Sequence, residues 1–403
     1  MEDTVRLYPV LRASTGFMAW IPVFFLYLTS HWSLEQAMLL SAIYYVAVVS
    51  LEVPSGHMSD RLGRRKTLMC AAACTALSAV LFVIGGPWSV YVIANIALAG
   101  GIALQSGSDT ALHFEALDAL DRTDEYQHRE AQAEWSGMSS MAIAALCGGV
   151  LGAVDLRFAY ALTGVGAIAS LLVLTRMADT SARITESRGF ARTLVRTTAR
   201  LRNPLLAWLF VATVVLYALE GIVFELYQAY SQGAADTLNI TALPESVLSG
   251  AVICLSMLGG AIAARLSSTR WQQLGLFGLI AVAAAMQAGL VIALLFSSGL
   301  VGLALVTTRN FPMSLIHAPL NAVIAPRVPN AERAVFLSIM SLAQRLAFAA
   351  LMFGLTTLIG HEEAATVEAV KPLLLATLLV ASVFVIGLLV YFKAARRAHI
   401  ASS

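Results

Sequence analysis

Long apolar stretches recur along the whole chain, separated by short polar connections. A helix needs about 20 apolar residues to cross a ~30 Å hydrocarbon layer, and it satisfies its own backbone hydrogen bonds where no water is present. The mean hydropathy of +0.77 also separates the chain from soluble proteins. The pattern predicts an all-α membrane protein with twelve spans, at residues 8–30, 34–55, 67–86, 89–114, 131–154, 158–177, 204–230, 246–265, 272–297, 299–323, 334–359 and 372–392.

The basic residues lie almost entirely on one side of this topology. Of 26 Lys and Arg residues, Arg12, Arg309 and Arg345 fall inside predicted spans, while Arg157 and Lys371 lie on one side of the membrane. The others lie on the opposite side, which the positive-inside rule assigns to the cytoplasm. We therefore expect a multi-pass protein with both termini in the cytoplasm and no cleavable signal peptide.

A basic connection divides the chain into two parts. The segment from Arg176 to Arg202 holds seven Arg, and its apolar and basic residues fall on opposite faces of a helix. This pattern predicts a helix on the cytoplasmic membrane surface, and a solvated linker is the alternative. We expect a six-helix bundle over residues 1–177, a linker over 178–203 and a second six-helix bundle over 204–403.

Four pairs of identical residues are separated by 204 positions, and each pair lies in corresponding regions of the two parts. Any one match could arise by chance, but four at the same offset favour a duplicated six-helix unit. Such a duplication gives two bundles related by a pseudo-twofold axis normal to the membrane. The pairs are Gly56 with Gly260, Arg61 with Arg265, His113 with His317, and Arg129 with Arg333.

The connection between the second and third spans has an unusual density of charge. From Gly56 to Lys66 it reads GHMSDRLGRRK, and it resembles the signature loop between helices two and three of the major facilitator superfamily. The preceding stretch, Glu52-Val-Pro-Ser, resembles the form common among bacterial exporters of that superfamily. The resemblance covers essentially the whole chain. It implies two pseudo-symmetric six-helix bundles around a central cavity, and secondary transport by alternating access.

The resemblance also implies a conformational latch at this loop. Its acid, Asp60, is expected to pack against the start of the eleventh span, around residues 333–337, where a helix N-terminus favours an anion. Its base, Arg64, is expected to pair with an acid at the end of the fourth span. The expected latch consists of Gly56, Asp60, Arg61, Gly63 and Arg64, with Glu115 or Asp118 as that acid. The alternative, favoured for Arg65 and Lys66, is that the basic residues only enforce topology.

Few ionisable residues lie within the predicted spans, where each costs about 2.5–3.5 kcal/mol near the bilayer centre. A carboxylate removed from water holds its proton more tightly, and it releases the proton when an arginine approaches. A carboxylate that gains and loses an arginine as the bundles rock would therefore bind and release a proton. We expect Glu220 to be this proton carrier, with Asp109 second, and Glu225 to have a different role on another face of the same helix.

Two arginines, Arg309 and Arg345, lie near the predicted midplane and need anionic partners. They either form structural ion pairs with Glu220 and Glu225, or line the cavity and bind an acidic group of the substrate. Asn310 and Pro312 suggest an irregular stretch in the tenth span, which favours the second interpretation. Further candidates for the substrate cavity are Asn310, Tyr217, Trp20 and Tyr44, for which ordinary packing is the alternative.

The motifs of several other protein classes are missing from the sequence. It has no metal-ligand cluster and no Gly-rich loop ending in Gly-Lys-Ser or Gly-Lys-Thr. We therefore expect a transporter that is not an enzyme, carries no cofactor and is driven by an ion gradient. Its expected partners are a small-molecule substrate, protons and the lipid bilayer, with no nucleic acid, and it is expected to act as a monomer.

We expect proton-coupled export, by antiport, of a small amphipathic drug or metabolite across a bacterial cytoplasmic membrane. The alternative is proton-coupled symport of an anionic small molecule, which the two arginines inside the spans keep open. A membrane-embedded binding protein without transport is a third class. The Gly-Pro bend of many antiporters is missing before Gly148 and Gly149, and close helix packing competes as the explanation of these glycines.

Overall fold

The structure is a computed structural model that describes residues 1–179, 190–225, 227, 230, 243–356 and 367–400. Its described part is almost entirely α-helical and contains no β-strand. We number the membrane spans in chain order. They are span one, Glu2–Thr15 and Phe24–His31; two, Leu34–Leu62; three, Arg64–Ile84; four, Trp88–Gln105 and Ser108–Asp118; five, Tyr126–Gly152; six, Arg157–Arg176; seven, Pro204–Glu225; eight, Glu245–Ser267; nine, Gly275–Leu295; ten, Gly299–Val306 and Phe311–Ile324; eleven, Asn330–Thr356; and twelve, Val367–Ile400.

Eleven helices in the described part of the chain are long and apolar enough to cross a membrane. Span one supplies a further crossing with two shorter helices. The all-α membrane architecture expected from the sequence is confirmed. Between spans six and seven lies the linker helix, Phe190–Ala199, while residues 180–189 of the expected linker lie outside the described residues.

Span one is not the continuous helix that the sequence predicted over residues 8–30. Its first helix ends at Thr15, and helical structure resumes at Ile21. Pro22 explains part of the break, because proline has no backbone N–H and clashes with the preceding turn of a helix. Span six provides a hydrogen-bond partner for one backbone group of the break, since Trp20 N–H donates a hydrogen bond of 3.1 Å to Thr163 Oγ1.

Spans four and ten are interrupted at equivalent positions of the two halves. Span four pauses at Ser106 and Gly107, and span ten pauses over residues 307–310. An offset of 204 residues carries Ser106 onto Asn310, so both interruptions obey the internal repeat. Irregular backbone at membrane depth is tolerated where protein encloses it. The irregular stretch that Asn310 and Pro312 suggested in span ten is therefore present.

Glycines on span five allow two close contacts. A Cβ added to Gly149 would lie 2.5 Å from Ser246 O of span eight in the other half. A Cβ added to Gly148 would lie 2.0 Å from Ala19 O, within the break of span one. The glycine pair in span five therefore serves close packing, which is the alternative to an antiporter motif.

Spans two and three are joined by Gly63, whose φ of +101° favours glycine over other residues. We call the end of the molecule that carries this turn the Gly63 side; the sequence predicts that it faces the cytoplasm. Each half has its own apolar core, which includes Tyr27 and Phe82 in the first half and Trp208 and Phe336 in the second.

Candidate functional site

A cavity of about 270 Å³ is lined by spans one, four and five of the first half, and Arg345 of span eleven borders it from the second half. Its charged lining residues are Arg12, Asp109, Glu134 and Arg345. Three methionines, Met18, Met138 and Met141, supply flexible apolar surface to the same cavity. The interruptions of spans one and four both reach its wall. The cavity is therefore amphipathic, with fixed charges beside adaptable thioethers.

Arg12 of span one holds two carboxylates at once. Its Nη1 donates to Asp109 Oδ2 at 2.6 Å, and its Nη2 donates to Glu134 Oε2 at 2.7 Å. These acids come from spans four and five, so the arginine ties three helices of the first half together. When both acids are ionised, the three residues carry one excess negative charge. Such a charge at membrane depth favours a proton or another cation as its partner.

His317 of span ten approaches this cluster from the other half. Its Nδ1 lies 3.5 Å from Glu134 Oε2, and its Nε2 lies 3.2 Å from the Asn321 side-chain amide. The repeat-related residue, His113, instead contacts Glu130 of its own half. Of these two histidines, His317 is therefore the one that links the halves through span five.

Arg345 of span eleven pairs with Glu52 of span two. Its Nε lies 3.6 Å from Glu52 Oε2, and the Glu52 side chain is fully buried. The pair joins the two halves beside the cavity. The sequence instead offered Glu220 and Glu225 as partners of this arginine, and a contact with span two was missed because it joins distant parts of the chain. Tyr217 of span seven and Tyr44 of span two lie within electrostatic reach of Arg345.

Glu220 is half-buried and lies within electrostatic reach of Arg309 in its own half and Glu134 in the other. The Arg309 guanidinium stacks over the ring of Phe224 at 4.4 Å. Arg309 is therefore close enough to Glu220 for an electrostatic interaction, and the ion pair between them stays a prediction. The side chain of Glu225 lies outside the described residues.

Other predicted cavity residues have packing partners. Trp20 and Tyr44 are buried and pack edge to face, with ring centroids 6.3 Å apart. Asn310 is buried and donates a hydrogen bond of 3.0 Å to Ser256 Oγ. Among the described residues, Trp20, Tyr44 and Asn310 lie outside the lining of the cavity of about 270 Å³.

A second charged network lies on the Gly63 side. Buried Arg64 forms an ion pair with Asp60, and its Nη2 lies 2.9 Å from Glu115 Oε1. The same Nη2 donates to the backbone oxygen of Asn330, at the start of span eleven, at 2.6 Å. The Asp60 carboxylate also lies near the backbone N–H of Val335. The loop and the fourth span of the first half thus contact the start of span eleven in the second half.

The remaining latch candidates differ in their placement. Asp118 and Arg61 are exposed, whereas Glu115 is buried and also lies 3.8 Å from Arg333 of span eleven. Arg65 donates a hydrogen bond to the backbone oxygen of Leu174 at the end of span six. This residue therefore makes a structural contact, in addition to the effect expected of its charge on membrane topology.

Two glycines of the first half, Gly56 and Gly107, lie directly against span eleven, and we call this contact surface the glycine seat. A Cβ on Gly56 would lie 2.6 Å from Ser338 Oγ, and a Cβ on Gly107 would lie 2.9 Å from Leu337 Cβ. Both would also lie 3.1 Å from Ala334 O. Gly107 additionally has a φ of +69°, which L-residues rarely adopt. Spans two and four thus contact the same turn of span eleven through positions without a side chain.

The family model of the Major Facilitator Superfamily matches residues 11–352. The chain belongs to this superfamily. Its members are transporters, and the chain is accordingly a secondary transporter of the multi-pass membrane type. The two six-helix halves around a cavity, which the signature loop implied, are confirmed as the superfamily fold.

Solved superfamily structures resemble the whole chain in fold. The crystal structure of a bacterial homologue of the iron transporter ferroportin, in its outward-facing state, superimposes with a TM-score of 0.68 at 18% identity, covering 98% of this chain and 100% of that chain. The human organic anion transporter MFSD10 (TETRAN) superimposes with a TM-score of 0.65 at 17% identity, covering 94% of this chain and 98% of that chain. No curated protein sequence matches this chain. At these identities the likeness establishes the superfamily fold alone.

Within this superfamily fold, four residues of the charged clusters were not singled out as site residues from the sequence: Arg12, Glu134, His317 and Glu52. Arg12 was visible as a charge inside span one, but its partners lie 97 and 122 positions away. Glu134 falls near a span end, where an acid is inexpensive. These residues could have been found by comparing predicted membrane depths, since an acid in one span and a base in another at the same depth are candidate partners.

Proposed function

We propose that the chain is a proton-coupled antiporter that exports a small amphipathic molecule, a drug or a metabolite, by alternating access. The observation that supports this proposal is the pair of carboxylates, Asp109 and Glu134, that share Arg12 beside the cavity. The single positive charge of Arg12 balances only one of the two negative charges. The second requires a proton or a cationic partner, so the site can couple proton binding to substrate binding.

The proton-coupling residues that we propose are Asp109 and Glu134 first, because both line the cavity. Glu220 is the next candidate, since Arg309 and Glu134 both lie within its electrostatic reach. Glu225 completes the set expected from the sequence. Motion between the halves would change the distance from Glu134 to Glu220, and therefore the proton affinity of both.

The substrate site that we propose is the cavity itself. Methionines adapt to ligands of varied shape, and a few fixed charges orient them. Arg345 lines this cavity and is the foremost substrate contact. The other candidates from the sequence are Arg309, Asn310, Tyr217, Trp20 and Tyr44. They lie outside the lining of this cavity, and we propose that they contact the substrate only after the halves have moved. We further propose that the protein acts as a monomer in the bacterial cytoplasmic membrane, with both termini in the cytoplasm.

Symport of protons with an anionic molecule is the second candidate function. It is favoured by Arg345, which lines the cavity only 3.6 Å from a fully buried carboxylate, Glu52. A substrate anion that took over Arg345 would leave Glu52 unpaired. That carboxylate would then bind a proton, so anion and proton would be carried together.

A flux experiment with an imposed pH gradient tests the coupling and separates the two candidates. The protein is reconstituted in proteoliposomes of known orientation, and an acidic interior is imposed. Antiport predicts substrate uptake driven by this gradient, while symport predicts substrate exit. We expect Asp109→Asn to abolish proton-driven accumulation and Glu220→Gln to reduce it. Full coupling in Asp109→Asn would contradict the proposed role of the shared carboxylates.

A further inference from the structure

The contact between Glu134 and His317 crosses the boundary between the two halves. Glu134 belongs to span five and lines the cavity, while His317 belongs to span ten. Their closest atoms, Oε2 and Nδ1, lie 3.5 Å apart. This oxygen is also the acceptor of Arg12 Nη2 at 2.7 Å. A single carboxylate oxygen of the first half therefore faces a titratable group of the second half.

The charges around the cavity make the protonation of His317 significant. Arg12 and Arg345 supply two positive charges, while Asp109, Glu134 and Glu52 supply three negative charges when ionised. The group therefore carries one excess negative charge if His317 is neutral. Protonation of His317 cancels that excess. A cationic group of a ligand in the cavity would cancel it equally well.

Other charged and titratable groups face this contact from the surrounding spans. Span seven brings Glu220 within electrostatic reach of Glu134. Span eight places Arg265 over the ring of Trp135, next to Glu134 in the chain, at 5.9 Å. Among the described residues, the other charged groups that contact Glu134 or border the same cavity are Arg12 from span one, Asp109 from span four, and Arg345 from span eleven with its partner Glu52 from span two.

The surroundings of His317 suit both of its protonation states. Its side chain is 35% exposed, while the Nδ1 atom that faces Glu134 is buried. The Asn321 amide lies 3.2 Å from Nε2. An amide can donate its N–H to a neutral ring nitrogen, or turn and accept from a protonated one.

We propose that Glu134 is an exchange site, which holds the protonated imidazolium of His317 or the cationic group of the substrate, but not both. This inference rests on the proposed antiport and adds that the exported molecule carries a positive charge. A cation that enters the cavity displaces the imidazolium from Glu134. The His317 N–H⁺ bond then dissociates and its proton passes to water. The methionines of the cavity contact the apolar part of the same molecule.

A binding experiment measures this exchange without transport. The full chain is purified in detergent and lightly buffered near pH 6. The probe is benzyltrimethylammonium, a permanently charged cation with an apolar ring that suits a cavity of about 270 Å³. We expect binding to release up to about one proton per cation, and the affinity for the cation to fall as the pH is lowered from about 8 to about 5.5, because the proton and the cation compete for the same site.

Three variants assign the proton. His317→Gln is expected to bind the cation with an affinity that no longer changes over this pH range, and to lose the release of one proton. Glu220→Gln removes a carboxylate of the second half that lies within electrostatic reach of Glu134. We expect this variant to keep the proton release on cation binding that His317→Gln loses, whatever its effect on transport. His128→Gln removes an exposed histidine on span five and serves as the matched control. Each variant is first checked for a monodisperse elution profile, and an unfolded His317→Gln is replaced by His317→Asn.

The outcomes separate this inference from the proposed function. Proton release that persists in His317→Gln but is lost in Glu220→Gln would overturn the assignment to His317 and leave antiport intact. Cation binding by the wild type without proton release would overturn both. The absence of cation binding at any pH would exclude a cationic substrate. Binding of benzoate with proton uptake, measured in parallel, would support symport instead.

Discussion

Arg12 shows how one half-buried side chain can organise a cluster of charges beside the cavity. The free-energy cost of removing this arginine from water is offset by two carboxylates, Asp109 and Glu134, which accept hydrogen bonds from it at 2.6 and 2.7 Å. That arrangement leaves one carboxylate in excess. An excess charge that is fixed in place by hydrogen bonds is a persistent binding site for a proton or a cation.

The pair between Glu52 and Arg345 yields a stability prediction at the same scale. Arg345→Met leaves the fully buried Glu52 carboxylate without its positive partner. We expect this change to lower the free energy of unfolding by about 3 kcal/mol, because an uncompensated buried charge is costly. Thermal unfolding of the purified protein in detergent measures the effect.

The double variant Glu52→Gln with Arg345→Met is the control for this prediction. It removes both charges, so most of the lost stability should return. Equal melting temperatures for the wild type and Arg345→Met would show that the pair does not stabilise this state. A double variant less stable than Arg345→Met would point to a role of the Glu52 carboxylate beyond this ion pair.

Single residues also show what the sequence could predict. Arg64 and Glu115 were expected near each other because a family signature supplied the contact, which the structure places at 2.9 Å. No such signature covers Arg12 or Glu52. Their partners are set by how spans pack, and hydrophobic periodicity in a nearly uniform apolar segment carries little information about that packing.

Three helices are interrupted, and two of these interruptions form part of the cavity wall. Spans one, four and ten each break within the membrane, and the breaks of spans one and four contribute Gly16 and Ser106 to the cavity wall. The spans themselves were predictable from length and hydropathy. The breaks in spans one and four were not, because the hydropathy of Gly16 to Trp20 and of Ser106 to Gly107 does not distinguish them from helix.

The glycine seat for span eleven gives a prediction about elements. Gly107→Ala would place a Cβ 2.9 Å from Leu337 Cβ, and Gly56→Ala would place one 2.6 Å from Ser338 Oγ. We expect both variants to separate span eleven from the first half and to reduce the population that is closed on the Gly63 side. Spin labels on exposed Thr123 and Thr269, in a background without the native cysteines, report this separation as a longer distance by double electron–electron resonance.

Two other glycines serve as controls, because an added Cβ there meets no neighbouring atom. Gly275 has a φ of +66° and no neighbour within 4 Å of an added Cβ, so Gly275→Ala carries backbone strain without a clash. Gly289 lies inside a helix with equally open surroundings. We expect Gly275→Ala and Gly289→Ala to keep the wild-type distance distribution. An unchanged distribution in Gly107→Ala would contradict the seat as a determinant of closure.

At the scale of the whole molecule, the two halves meet on the Gly63 side through contacts of different chemistry. Glycines provide close approach, and the Arg64 network provides hydrogen bonds to the start of span eleven. The contact between Glu134 and His317 adds a component that depends on protons. Closure is therefore linked to pH, because a group that binds a proton more tightly in one state favours that state when protons are abundant.

This linkage predicts how the separation of the halves responds to pH. Where the halves meet on the Gly63 side, as in this structure, His317 lies 3.5 Å from Glu134, and we expect the protonated form to favour this closed arrangement. The stabilisation of the closed state by this ion pair is present at low pH and is lost at higher pH, where the imidazolium has given up its proton. The ratio of closed to open molecules should thus increase from about pH 8 to about pH 5.5. The increase should reach at most about fivefold, since a partly exposed ion pair contributes no more than ~1 kcal/mol.

The spin labels on Thr123 and Thr269 measure this ratio in the full chain, with His317→Gln as the decisive variant. Glutamine cannot gain a charge, so the pH response should disappear while the closed distance itself is retained. His128→Gln, which alters an exposed histidine on the same span as Glu134, should respond as the wild type does. A pH response that survives in His317→Gln would assign the linkage to the carboxylates Asp109, Glu134 and Glu220. In that case acid would weaken the pair with Glu134, and the closed population would fall rather than rise as the pH is lowered.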